Sequence, residues 1–201
     1  MPDPRSPQSR KEFSFWLKLV FFVVFAMSGI LLGVLYAHLR ELPDISNLLE
    51  YKPAQTTRIY DIKGTLISQL AIEQRTIISL EQVPQHLQDA VIGIEDERFY
   101  RHWGIDPIGI ARAFLINVRH GGTRQGASTI TQQLARNLFL TRERTLARKI
   151  REALLAFQIE KNFSKKQILE MYMNQIYYGE GAYGTESAAR TYFGKHASDL
   201  T

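Results

Sequence analysis

From Leu19 to Ala37 the chain carries no charged residue, only Leu, Val, Phe, Ile, Ala, Met, Ser, Gly and Tyr. About 20 apolar residues are what a helix needs to cross the hydrocarbon core of a bilayer, and buried helices of soluble domains rarely sustain such a run. Trp16 and Tyr36 stand near its ends, where amphipathic rings favour the headgroup zone. The run is longer than the apolar stretch of a secretory signal and no clear small-x-small cleavage site follows it, so it reads as an uncleaved anchor. Arg5, Arg10, Lys11 and Lys18 precede it and only Arg40 follows closely. The excess of Lys and Arg on the N-terminal side predicts a cytoplasmic tail over 1–18, a span over 19–37 and an outer domain beyond.

Residues 38–56 are polar, hold Pro43 and Pro53, and read as a linker. The remainder, about one domain of ordinary apolar content, has 45% hydrophobic residues over the whole chain. Cysteine is absent, which excludes disulfides, thiolate metal sites and cysteine nucleophiles. No phosphate-binding glycine loop occurs, and His86, His102 and His120 lack paired metal-ligand spacing.

Alternation on either side of Ile62-Lys63-Gly64 predicts a hairpin from Thr57 to Leu70, and Arg75–Leu80 suggests a further short strand. Helical signals then take over. Pro84 opens a helix running to Glu95; Asp106-Pro107 is an N-cap followed by proline at the first helical position, and Gly121 closes that helix. Ile108, Ala111, Leu115 and Val118 recur along it at helical spacing. Gly121–Gly126 is a flexible loop. Ser128 or Thr129 caps a helix with Ile130, Leu134 and Leu138 on its apolar face, and another covers about Thr145–Lys161. Ser164-Lys-Lys-Gln167 is a capping box ahead of Ile168–Tyr177, and a last helix runs from near Thr185 to Gly194. The outer domain is therefore mainly α, with a small β element next to the membrane.

Three stretches carry candidate chemistry. Ala90–Ile94 delivers Glu95 at a helix end, ahead of Asp96, Phe99 and His102. A carboxylate pressed against apolar packing can serve as acid or base; the bland alternative is a solvated helix end, although an acidic residue there opposes the helix dipole. Thr129, Gln133 and Arg136 share one face of the next helix and offer hydroxyl, amide and guanidinium to an anionic or sugar ligand; a polar outer face is the plain alternative. Arg148 and Lys149 lie one turn before Glu152. From Arg119 to Arg151 eight basic residues are opposed only by Glu143. Such a patch wants a polyanion, and for an exported domain at a bilayer that means phosphate-bearing lipid and not nucleic acid. Glu95 and Glu152 on separate helices could flank one cleft, the arrangement glycosyl chemistry uses.

These motifs resemble a known family. The pattern E-D-x-x-F-x-x-H-x-G is met at Glu95, Asp96, Phe99, His102 and Gly104; G-x-S-T-I-T-Q-Q from Gly126 to Gln133; R-K-x-x-E at Arg148, Lys149 and Glu152; and K-x-x-I-L-x-x-Y-x-N at Lys165, Ile168, Leu169, Tyr172 and Asn174. Residues from about 40 to 201 are thus similar to the peptidoglycan glycosyltransferase domain of class A penicillin-binding proteins, glycosyltransferase family fifty-one. The resemblance implies a lysozyme-like α fold with a membrane-proximal jaw, in a domain over 57–201. It implies polymerisation of lipid II into glycan strands with inversion at the donor C1 and release of undecaprenyl pyrophosphate, at the inner membrane of a Gram-negative cell with the catalytic domain periplasmic.

By the same resemblance Glu95 is the base and Glu152 supports the second site, orienting the acceptor or aiding the pyrophosphate. Arg136, Arg148 and Lys149 hold phosphates, and Asp96, Phe99, His102, Thr129 and Gln133 shape the cleft. No cofactor is required; a divalent cation at the pyrophosphate is optional. The implied partners are lipid II, the lipid-linked strand, the bilayer and other cell-wall synthesis proteins.

Two departures stand out. Arg136 occupies a position where many relatives carry Lys, and the family domain continues for several dozen residues beyond the position of Thr201. No S-x-x-K or K-T-G motif is present. The expectation is a fragment of a bifunctional enzyme. An inactive membrane-anchored remnant and a lysozyme-like lytic hydrolase are the alternatives; the hydrolase has little need of a pyrophosphate clamp.

Overall fold

The computed structural model describes residues 7–40, 57–64, 66–70, 74–122, 126–141, 143 and 145–201, together with 42, 43, 45 and 48. For residues 7–13, 31, 34, 35, 38, 39, 57–60, 66, 68–70 and 74 only the backbone is described. The chain divides into two compact units, Met1–Leu42 and Pro43–Thr201.

The first unit is one helix, α1, Pro7–Arg40. At about 1.5 Å per residue it is about 51 Å long. Its large apolar side chains, among them Phe21, Phe22, Phe25 and Ile30, are exposed. Among the described residues no helix is long and apolar enough to cross a membrane. The predicted span 19–37 includes Leu31, Val34 and Leu35, whose side chains lie outside the described residues. Most of the predicted linker lies outside them too.

The second unit begins with the predicted hairpin, β1 (Thr57–Tyr60) antiparallel to β2 (Leu66–Leu70), with a register shift at Ile59/Tyr60. The expected strand over Arg75–Leu80 is mostly not a strand. Only Gln74–Arg75 (β3) pairs, in parallel, with Ala182–Tyr183 (β4), and Leu80–Gln82 is a 3-10 turn. Side chains replace the missing ladder: the Ile78 amide donates to Asn174 Oδ1 at 3.0 Å and the Leu80 amide to Glu170 Oε2 at 2.8 Å.

Among the described residues six helices complete the unit: α2 (Gln85–Glu95), α3 (Pro107–His120), α4 (Ile130–Phe139), α5 (Leu146–Asn162), α6 (Lys165–Gln175) and, after β4, α7 (Thr185–Phe193). Their ends obey the capping signals. Asp106 accepts from the Ile108 amide at 3.1 Å and Gly121 closes α3 in the left-handed region; Thr129 and Ser164 each form a capping box, with Gln132 and Gln167. The core is a stack of α4, α5 and α6, in which Ile130, Leu134, Leu155, Ile159, Ile168 and Leu169 are fully buried.

Helix α3 departs from this order. Ile108, Phe114, Leu115 and Val118 are 56%, 65%, 67% and 64% exposed, and Ala113 is its one buried apolar residue. Its apolar spacing marks a face that the described residues leave exposed.

Candidate functional site

The site is assembled where α2 ends and α4 begins. The buried Gln88 amide donates to the Leu80 and Val83 carbonyls at 3.1 and 2.8 Å, which fixes the start of α2. At its other end Asp96 terminates the helix, its N–H still bonded to Ile92 O at 2.9 Å, and leaves Glu95 exposed on the last turn. The chain then folds back through Phe99–Arg101, a 3-10 turn anchored by the fully buried Phe99 ring. The Lys165 ammonium lies 4.5 Å above that ring.

A buried His102–Asp96 pair and two further bonds tie this turn to the first turn of α4. His102 Nε2 meets Asp96 Oδ1 and Oδ2 at 2.9 and 3.0 Å; Asp96 Oδ2 accepts the Ile130 N–H at 3.0 Å; the Thr129 hydroxyl donates to Gly104 O at 2.6 Å. The buried Asp96 carboxylate therefore satisfies one of the orphan amides of α4 at the positive end of the helix. Gly104 has φ +83, and a Cβ there would stand 2.9 Å from the Ala156 backbone, so α5 can approach only glycine.

Gln133, one turn along α4, then faces Glu95. Its Nε2 donates to Glu95 Oε2 at 2.7 Å, and its Oε1 accepts from the Tyr172 hydroxyl of α6 at 3.3 Å. Burial, and next the charge of Glu95, push the Tyr172 phenol above its ordinary value.

These groups border a cleft of about 460 Å³ lined by Glu95, Asp96, Thr129, Gln133 and Arg136, by Glu97, Arg98, Asp106, Gly109 and Arg112, and by Gly126–Ser128. Ion pairs brace the part of the lining that joins the residues after α2 to α3, Arg98–Asp106 at 3.2 Å and Arg112–Glu97 at 2.9 Å. The hydrogen bond from Arg112, then its charge, hold the Glu97 carboxyl below its ordinary value.

The structure brings Glu95, Asp96, Thr129, Gln133 and Arg136 to one cleft. Phe99 and His102 are buried beneath it. Glu152 stands apart from the lining: it is fully buried on α5, with Oε2 accepting from Arg148 Nη1 at 2.7 Å and Oε1 paired with Lys149 Nζ. Lys149 connects the two places, because its ammonium also donates to Ser128 Oγ at 2.8 Å, and Ser128 lines the cleft. Of the basic window, Arg124, Arg142 and Arg144 lie outside the described residues, as do Thr123–Gln125 of the predicted loop. Among the described residues no group of three or more His, Asp or Glu is placed to hold a metal ion.

Sequence reasoning missed Tyr172 and the braced wall as parts of the site. Tyr172 carried a signal, its place in the last motif. The Arg98–Asp106 and Arg112–Glu97 pairs carried none, since each links a helix end to a residue on a different element.

A family model described as Transglycosylase matches residues 63–201. Penicillin-binding protein 1A of Aquifex aeolicus (strain VF5) is 50% identical over 179 residues, 89% of this chain and 25% of that protein. Penicillin-binding protein 1A of Neisseria flavescens is 50% identical over 161 residues, 80% and 20%. Penicillin-binding protein 1A of Rickettsia conorii (strain ATCC VR-613 / Malish 7) is 43% identical over 194 residues, 95% and 25%. The chain spans about a quarter of the length of these relatives. With its first two motifs joined in one cleft and the family match covering most of its length, the chain belongs to the transglycosylase family.

Proposed function

We propose that the chain is a peptidoglycan glycosyltransferase of cell-wall synthesis, joining lipid II units into glycan strands. One observation carries the reading: a carboxylate, Glu95, is aimed by Gln133 into a cleft that also presents the Arg136 guanidinium. In the reaction Glu95 takes the proton of the acceptor 4-hydroxyl. The freed oxygen electron pair forms the new bond at the donor C1 from the face opposite the leaving group, and the C1–oxygen bond breaks with its electrons passing to undecaprenyl pyrophosphate. Negative charge grows on that diphosphate, and fixed cations stabilise it most in the transition state. Arg136, on the cleft wall, and Lys149, held at Ser128, are suited to that task. Glu152, with both oxygens engaged, acts by holding Arg148 and Lys149 in place. An optional divalent cation would sit at the pyrophosphate.

The lipid-linked substrate requires the domain to work at a bilayer. The whole sequence of the run Leu19–Ala37, continuous within α1, supports a span with residues 1–18 cytoplasmic and the catalytic domain periplasmic, at the inner membrane. The exposed apolar face of α3 supports contact of the domain itself with lipid, in keeping with a lysozyme-like fold bearing a membrane-proximal jaw.

Labelled lipid II supplied to the full chain in detergent tests the reading. Glycan polymer is expected, and Glu95→Gln should lower its rate by at least about 100-fold, the range of a lost general base. Equal turnover by the variant would remove Glu95 from this role.

A further inference from the structure

We propose that Tyr172 is a positioning residue that sets the orientation of the Gln133 amide and, through it, the carboxylate of Glu95. The proposal rests on the reading of Glu95 as the base and assigns the residue that aims it.

Glu95 needs such a device. It sits at the C-terminal end of α2, where the helix dipole disfavours a negative side chain, and it is exposed. Among the described residues its hydrogen bond from Gln133, at 2.7 Å, is the one contact that holds it. Glu95 itself lines the cleft.

The Gln133 amide has two ends of nearly equal size and opposite polarity. In the observed orientation an N–H donates to the carboxylate. Turned by half a revolution, the amide would set its own oxygen against a carboxylate oxygen, acceptor against acceptor. The carboxylate, which only accepts, favours the observed orientation, and the group on the far side of the amide reinforces and fixes it. That group is the Tyr172 hydroxyl, 3.3 Å from Oε1. Tyr172 is 1% exposed, so its ring cannot swing aside, and burial keeps its phenol protonated. The protonated phenol donates to the amide oxygen here, and losing that bond removes part of what holds the amide in this orientation. The backbone of Gln133 is pinned as well, its N–H bonded to Thr129 O at 2.9 Å in the capped first turn of α4. Scaffold, amide and carboxylate thus form one chain from the core of α6 to the cleft.

The test uses the full chain in detergent micelles. With glutamine labelled by nitrogen-15, the side-chain NH₂ pair of Gln133 is identified by its loss in Gln133→Leu. Tyr172→Phe should shift that pair more than any other glutamine pair, while Tyr178→Phe leaves it in place; an unmoved pair in Tyr172→Phe overturns the proposal, whatever the activity. Kinetics gives the second reading. Tyr172→Phe should lower kcat about tenfold with KM within about twofold, the scale of one hydrogen bond. In a Gln133→Leu background the same change should cost less than about twofold, because the link it acts through is gone. Equal losses in both backgrounds overturn the relay and leave Tyr172 a core residue. If Tyr172→Phe fails to fold by its melting curve, Gln133→Asn, too short to span both partners, should reproduce the kcat loss; unchanged kcat in that variant overturns the proposal. Polymerisation that survives Glu95→Gln removes the base reading alone, and the NH₂ signal still judges the contact.

Discussion

Helices α3 and α4 are neighbours in sequence with similar apolar spacing, and they end in opposite environments. Ile130, Leu134 and Ala135 of α4 are wholly buried against α5 and α6; Ile108, Phe114, Leu115 and Val118 of α3 are open. The cleft lies between them, lined by Gln133 and Arg136 of α4 and by Gly109 and Arg112 of α3. One wall is therefore part of the core and the other is a strut whose apolar side looks outward. On the proposed reading, the groups that aim the base belong to the rigid wall and the open one is left for an apolar surface.

The largest expected difference between the two walls is in stability. Leu134→Ala should cost about 3 kcal/mol, the transfer term plus a cavity among well-packed neighbours. Leu115→Ala should stay within about 0.5 kcal/mol, as surface changes do. Denaturant unfolding of both variants in the same detergent checks the pair; similar losses would mean that α3 is packed as tightly as α4.

The support beneath the α4 wall comes next. Asp96 accepts from His102 and from the Ile130 amide, and it is buried. Asp96→Ala leaves both donors without a partner and should destabilise the chain by about 3 kcal/mol, whereas Asp96→Asn, which keeps an acceptor oxygen for one of them, should cost less. The ratio of the two, read from the same unfolding curves, separates lost hydrogen bonds from lost volume.

On the rigid side, α7 is latched to the residues after it by a smaller device. Buried Glu186 accepts from the Ala197 N–H at 2.8 Å, Arg190 Nε at 2.6 Å and His196 Nδ1 at 2.9 Å. Burial alone would raise its carboxyl, but the Ala197 amide, then Arg190 and His196, outweigh that and hold it below 4.5. A depressed folded-state value means that the stabilisation is complete above the unfolded value and fades as pH falls through the folded one. Glu186→Gln should therefore destabilise the chain at neutral pH, and the gap to the parent should close as the pH falls below 4.5. Thermal unfolding at several pH values tests this; a gap independent of pH would assign the loss to packing.

Local rules were legible because their causes are local. Asp106-Pro107, Ser164 with Gln167, and Gly194 announce helix ends whose donors and acceptors lie within four residues. The motif residues of α4 predicted a shared face, and three of them line the cleft. Illegible were features whose partner is remote. The β3–β4 pair joins Gln74 to Ala182 through two residues each, too short for an alternating pattern. Glu160 binds Thr131 and Lys165, three elements brought together by the fold, and nothing in the run around it says so. The fate of α3 was hidden for a related reason: periodicity marks an apolar face but carries no information about what lies opposite.

The smallest effect is the most specific to the open wall. The chain has no cysteine, so a single substitution gives a unique labelling site. An environment-sensitive fluorophore on Val118→Cys, at the exposed end of the α3 face, should move to shorter emission wavelength when the full chain passes from mild detergent into phospholipid vesicles. The same label on Lys166→Cys, exposed on α6, should change little, because that position lies on the polar first turn of a core helix. The substitutions themselves should be nearly neutral for stability, since neither side chain is buried. Apolar area withdrawn from water stabilises the docked state by about 25 cal/mol per Å², so Leu115→Ser together with Val118→Cys should reduce the shift. Equal emission at both labelled positions would place α3 in water even at the membrane, and its uncovered face would then call for a protein and not a lipid surface.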